Sequence, residues 1–345
     1  KPSGVLNPVA GTIDFYPRLF TLRSGDFTAP PGNLDLGSTW TTNTTIFTQT
    51  GGNFIHNNGT LLINPIQSGC TQRTFTLDVL PTNVFYNIVV NPTNACPAGS
   101  IITTLAGDTL NAENNLIHLD GVINGKFSLK NNLYINSGSD GGTGSIIVNG
   151  SADQYYFTDS LAPRTCGVVI NKASGNFMPD SSTVDFYVQY LNLMAGDFTA
   201  PTGTLNIGGP WAANTSLYIQ SGGNYIHNNG LVSINPVQST CTQRTFTLDI
   251  IPTTAFYNFE VNAATACAAL PIVTTAVGDT VNASHDLIHA DGIINGKFSV
   301  KNNLIISATA DGGTGSITVD GSGDQYYIVD SLSPRTCGII VNKPS

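Results

Sequence analysis

Charge is what this sequence has least of. Only 10% of its 345 residues are Asp, Glu, Lys or Arg, against about a quarter in an ordinary soluble domain. The 13 basic residues are scattered, and 22 acidic ones outnumber them to give a formal net charge of −9. A protein that neutralises phosphates needs clustered Lys and Arg, so no nucleic acid partner is expected. Long apolar runs are missing too. None approaches the roughly eighteen residues of a membrane helix, and no membrane span is expected. The chain opens inside a repeat, so the lack of a leader peptide at residue 1 says nothing against export. Strong helix formers are few, and no stretch sustains a helical apolar period. What fills the space is Gly, Asn, Thr and Ser, with Val, Ile, Phe and Tyr among a 41% hydrophobic content. These residues favour short strands and turns, and the expected fold class is all-β.

The dominant feature is a repeat. "GGNFIHNNG" at 51–59 returns as "GGNYIHNNG" at 222–230, and "CTQRTFTLD" at Cys70 returns at Cys241, both after 171 residues. The offset holds end to end without a gap, with about three-fifths of aligned positions identical, far beyond what shared composition gives. Residues 1–171 form a first period and 172–342 a second, while Lys343-Pro344-Ser345 restarts the first three residues. The organisation is that of a tandem array, or of a chain that continues into its next copy.

Inside each period, short apolar runs stop at an asparagine: "LLIN" at Asn64, "IVVN" at Asn91, "LYIN" at Asn136, "IIVN" at Asn149 and "VVIN" at Asn171. Three or four aliphatic residues make a short strand, and Asn tolerates the left-handed backbone of a sharp corner. Two architectures fit. One is a β-solenoid whose coils use roughly 20 to 28 residues, about seven to a period. The alternative is a string of β-sandwich domains, about two to a period. The absence of gaps favours the solenoid, because stacked coils must keep register.

Six cysteines, three per period, lack CxxC and zinc spacing. Paired thiols of an exported protein are the better reading. Cys70 and Cys96, like Cys241 and Cys267, stand 26 residues apart, close to one coil, which puts each pair on neighbouring rungs as candidate disulfides. Cys166 and Cys337 remain, as buried thiols or as links between periods or subunits.

"GDFTAPPGNL", "GGNFIHNNGTLLIN" and "TFTLD" followed by "FYNIVVN" resemble the repeats of large secreted bacterial surface proteins of the haemagglutinin-like, adhesin-like β-solenoid kind. The resemblance implies export, an extracellular or cell-surface location and no chemistry. The long period and recurrent cysteines depart from that pattern and point towards a crosslinked fibre.

No candidate site outweighs a structural reading. His56 and His227 sit at "IHNN" corners, and His118 and His289 in "LIHLDG" and "LIHADG". His285 replaces Asn114, so no function of both periods depends on it. Asp108, Asp120, Asp140, Asp153 and Asp159 recur as Asp279, Asp291, Asp311, Asp324 and Asp330. Paired carboxylates can hydrolyse sugar chains, but Asp beside Gly or Ser commonly caps a turn. "DGGTG" at 140 and 311 suggests calcium, yet the G-G-x-G-x-D rhythm is missing. No catalytic residue and no cofactor is therefore assigned, and the chain is not expected to be an enzyme. The expected function is a structural segment of an extracellular fibre that assembles with itself. The rival is an adhesin gripping polysaccharide or a cell surface through Tyr155, Tyr156, Tyr326 and Tyr327 of "DQYY". A polysaccharide-degrading enzyme ranks third.

Overall fold

The computed structural model describes residues 4–93, 99–159, 163–265, 267–330 and 334–344. These residues form strands, turns and loops, with no helix among them. Most strands span two to nine residues, and the longest, Leu133–Val148 and Arg164–Pro179, span 16 each. The chain divides into two compact units, 1–183 and 184–345. Arg164–Pro179 crosses the sequence boundary at 171/172 without a break, so the first unit includes the start of the second copy.

Within each unit the described strand pairings are parallel, and each joins a strand to one a lap further along the chain. In the first unit one column runs Leu34, Leu61, Ile88, Leu116, Leu133, Tyr156. In the second it runs Leu205, Val232, Phe259, Leu287, Leu304, Tyr327. Successive members lie 27, 27, 28, 17 and 23 residues apart in both units. β-Sandwiches pair antiparallel neighbours, and these pairings do not form that alternative.

The column shows why these residues become strands. A period-2 strand sends alternate side chains inward, and "TFTLD" at 74–78 buries Phe75 and Leu77 completely. From Leu34 to Tyr156 the column is at most 2% exposed. A large aliphatic side chain so buried contributes about 1.5–3 kcal/mol. Aromatic rings extend the stack: Phe20 lies 5.0 Å from Phe47, and Phe54 4.9 Å from Phe85.

Corners are made differently from the sequence expectation. The asparagines that close the apolar runs do not take the left-handed conformation; they continue the ladder, with Asn91 N–H bonded to Ile63 O at 2.9 Å and Asn149 N–H to Leu129 O at 3.2 Å. Among the described non-glycine residues, positive φ is confined to Asn57, Asn58, Asn228 and Asn229. These are the tandem asparagines of "IHNNG", where two successive left-handed residues turn the corner between Asn53–Ile55 and Thr60–Ile63. A Cβ on the following Gly59 would collide with Pro30 O of the neighbouring lap. Buried glutamines seal other corners. Gln67 Oε1 accepts from Arg73 N–H at 2.8 Å, and Gln238 Oε1 from Arg244 N–H at 3.0 Å. An unpaired backbone group there would cost about 1–3 kcal/mol.

Candidate functional site

The histidines of the "IHNN" corners are structural. Nδ1 of His56 accepts from Asn58 N–H and that of His227 from Asn229 N–H, both at 3.0 Å. This bond fixes the two left-handed residues that follow. His56 also lies against Tyr86, with ring centres 5.6 Å apart, and its Nε2 is 3.0 Å from Glu113 Oε2. Ser284 replaces Glu113 in the second copy, so this contact is not repeated.

His285 is explained by a ladder the sequence only hinted at. In the first unit the Asn114 amide donates to Asn87 Oδ1 at 3.0 Å, and the Asn131 amide to Asn114 Oδ1 at 2.8 Å. In the second, His285 takes the middle rung: Nδ1 is 3.0 Å from Asn258 Oδ1, and Nε2 is 3.2 Å from Asn302 Nδ2. An imidazole offers one donor and one acceptor, as the amide does along this line.

A group of buried and half-buried titratable side chains surrounds His118. Its ring is fully buried, with Nε2–H donating to Gly121 O at 2.8 Å and Nδ1 3.2 Å from the Thr165 hydroxyl. Burial lowers its pKa to about 4, so the ring is neutral at pH 7. His289 repeats the arrangement with Gly292 O at 2.8 Å and Thr336 Oγ1 at 2.9 Å, and burial lowers it as well. Beside them, Asp120 Oδ1 accepts from Gly121 N–H at 2.6 Å and Asp291 Oδ1 from Gly292 N–H at 2.7 Å. Desolvation first, and then the charges of Asp140 and Asp311, raise these two carboxyls. Desolvation raises Asp140 too. The histidines spend both nitrogens on the fold, so neither has a free nitrogen to act as base or ligand.

Three further aspartates hold backbone. Asp108 Oδ2 accepts from Val79 N–H at 3.0 Å, Asp279 Oδ2 from Ile250 N–H at 2.9 Å and Asp153 Oδ1 from Asn176 N–H at 2.8 Å. Among the described residues, no three or more His, Cys, Asp or Glu side chains are grouped to hold a metal ion.

A disulfide joins Cys241 to Cys267, the pair that the spacing put on neighbouring rungs. Cys70 is also disulfide-bonded, while Cys96 lies outside the described residues. Cys166 and Cys337 are free thiols at 0% and 6% exposure. Desolvation pushes Cys166 up to about 12 and raises Cys337. So placed, Cys166 offers no sulfur to a second chain, and the buried-thiol reading fits it better than a link between periods or subunits.

The tyrosines proposed as a gripping face divide. Tyr156 is wholly buried, whereas Tyr155 is 39%, Tyr326 66% and Tyr327 81% exposed. Sequence reasoning missed Lys172. Its ammonium is buried against Gly150 O and Ala152 O, each at 2.8 Å, and Gln154 Oε1 at 2.6 Å. Burial lowers its pKa to about 8. The signal was present in the repeat itself, since Lys1, Lys172 and Lys343 all open a copy.

No protein-family description, curated protein or solved structure matches this chain. The disulfide is consistent with a protein outside the reducing cytosol. No helix among the described residues is long and apolar enough to cross a membrane.

Proposed function

We propose that this chain is a structural, non-catalytic segment of an extracellular fibre or surface filament, wound as a β-solenoid and extended by stacking of its periods. One observation carries the reading: both units repeat the same lap spacings in parallel register. Each lap satisfies the backbone edge of the one before, and its apolar face finds cover only in a neighbour. Stacked asparagine rungs, scarce charge and a disulfide between laps suit a durable assembly. Asp108, Asp120, Asp153, Asp279 and Asp291 hold backbone N–H groups, and His118 and His289 spend both ring nitrogens on the fold.

An adhesin keeps one supporting observation. Tyr134 and Phe157 stack at 4.4 Å on neighbouring laps, as do Tyr257 and His285 at 4.6 Å, and partly exposed rings are surfaces on which sugars pack.

Electron microscopy of purified, non-reduced protein separates these readings. Filaments with a layer line at about 4.8 Å, formed without ligand, are the expected result. Protein that stays monomeric at every concentration, or rods without that spacing, would overturn the stacked-lap fibre. Specific binding of polysaccharide by monomeric protein would establish the adhesin instead.

A further inference from the structure

Inside the first unit, the start of the second copy already lies on the end of the first. Gln154 pairs with Phe177, Tyr155 with Met178 and Tyr156 with Pro179. The rings of Tyr156 and Phe177 are 5.0 Å apart, and both are fully buried. Tyr156 O accepts from Asp180 N–H and from the Thr183 hydroxyl, each at 3.1 Å, and Thr183 Oγ1 in turn accepts from Thr158 N–H at 3.1 Å. This is a complete junction, with an apolar plug and a closed backbone edge.

Residues 171 positions further on repeat one half of that junction without the other. Tyr327 is 81%, Ile339 45% and Val341 70% exposed, whereas Tyr156, Val168 and Ile170 are at 0%. With Leu304, Ile306 and Val319 they line an apolar cavity of about 390 Å³. Residues 171 positions earlier repeat the other half. Leu6, the counterpart of Phe177, is 61% exposed, and Pro8 and Thr12 keep the identities of Pro179 and Thr183. Leu6, Pro8 and Thr12 line an apolar pocket with Phe15 and Phe27.

We propose that these two surfaces bind each other between copies of the chain. Leu6 of one copy fills the cavity framed by Tyr327, Ile339 and Val341 of the next. Val9 N–H and the Thr12 hydroxyl then close Tyr327 O as Asp180 and Thr183 close Tyr156 O. The occupant is a second copy because the chain carries both halves of a junction it already makes once, down to the identical Tyr, Pro and Thr. The contact rests on the fibre reading and specifies it further. It is heterologous, so each added copy leaves an unused half at both ends and growth continues unless the rotation closes a ring. Lys343, the counterpart of Lys172, already donates to Gly323 O at 2.5 Å, as Lys172 does to Ala152 O.

Leu6→Asp and Tyr327→Arg test this. Both positions are exposed, so each variant should melt as the wild type does, with Val341→Lys as a second probe of the cavity. Sedimentation should show growing wild-type assemblies and monomers of either variant, with association weakened at least about 100-fold, the size expected for a charge in an apolar hot spot. Mixing the two restores one good joint only, since Leu6→Asp keeps its cavity and Tyr327→Arg keeps its plug. The mixture should stop at a 1:1 dimer. Folded variants that still build wild-type assemblies, or a mixture that stays monomeric, would overturn this interface and leave the fibre reading standing. A wild-type chain that never assembles would overturn both.

Discussion

A single histidine shows how the fold uses ionisable groups. His118 is held neutral by its burial, which outweighs the opposite pull of the Nε2–H bond to Gly121 O. Its pKa falls from an unfolded value of about 6.5 to about 4. The unfolded chain therefore binds the proton more tightly, so the stabilisation is complete above about pH 6.5 and is lost as pH falls towards 4. A difference of this size amounts to roughly 3 kcal/mol. Asp120, Asp140 and Asp291 act with the opposite sign. Their raised values mean that the fold favours their protonated forms, a contribution present in acid and lost as pH rises through those values. Wild-type stability thus sums two trends, and a variant is needed to separate them. His118→Gln keeps a donor for Gly121 O but cannot titrate. Thermal melts between pH 7 and pH 4.5 should show a shallower acid loss in this variant, whatever its absolute stability. Superimposable pH profiles would show that His118 is not the group responsible.

At the scale of elements, the links between neighbouring laps decide stability. The Cys241–Cys267 disulfide closes a loop of 26 residues, and removing such a constraint typically costs about 2–4 kcal/mol. Cys241→Ala should lower the melting temperature under non-reducing conditions and be insensitive to added reductant at that site. A melt unchanged from wild type would mean that the unfolded chain gains nothing from losing this bridge. The strands and rungs were legible because apolar alternation and the 171-residue repeat are properties of the chain alone. "TFTLD" had to place Phe75 and Leu77 on one face, and the gapless repeat implied a kept register. The lap lengths were not legible. Nothing local distinguishes the 17-residue step from Leu116 to Leu133 from the 28-residue step before it, since both are strand, corner, strand. The corners were misplaced for a related reason. Asn64 and Asn57 have the same intrinsic tolerance, and the neighbouring lap decides which one turns left-handed. Lys172 was hidden because a lysine in sequence reads as surface, and only the stacking of one copy on another buries it.

For the whole molecule, the balance between end contacts and net charge sets when assembly begins. The chain carries −9 at pH 7 and has a calculated isoelectric point near 4.7, so copies repel at neutral pH. The proposed joint, by contrast, is made of Leu6, Tyr327, Ile339 and Val341 with backbone hydrogen bonds, and no ion pair is required to hold it. Raising ionic strength from about 10 mM to about 150 mM shortens the screening length from about 30 Å to about 8 Å. That removes most of the repulsion and leaves apolar burial intact. The critical concentration for assembly should therefore fall with added salt, and fall again as pH approaches 5. Light scattering across a salt series measures it directly. The opposite trend, assemblies that dissolve as salt rises, would mean that opposite charges join the copies and that the apolar faces at Leu6 and Tyr327 serve another purpose.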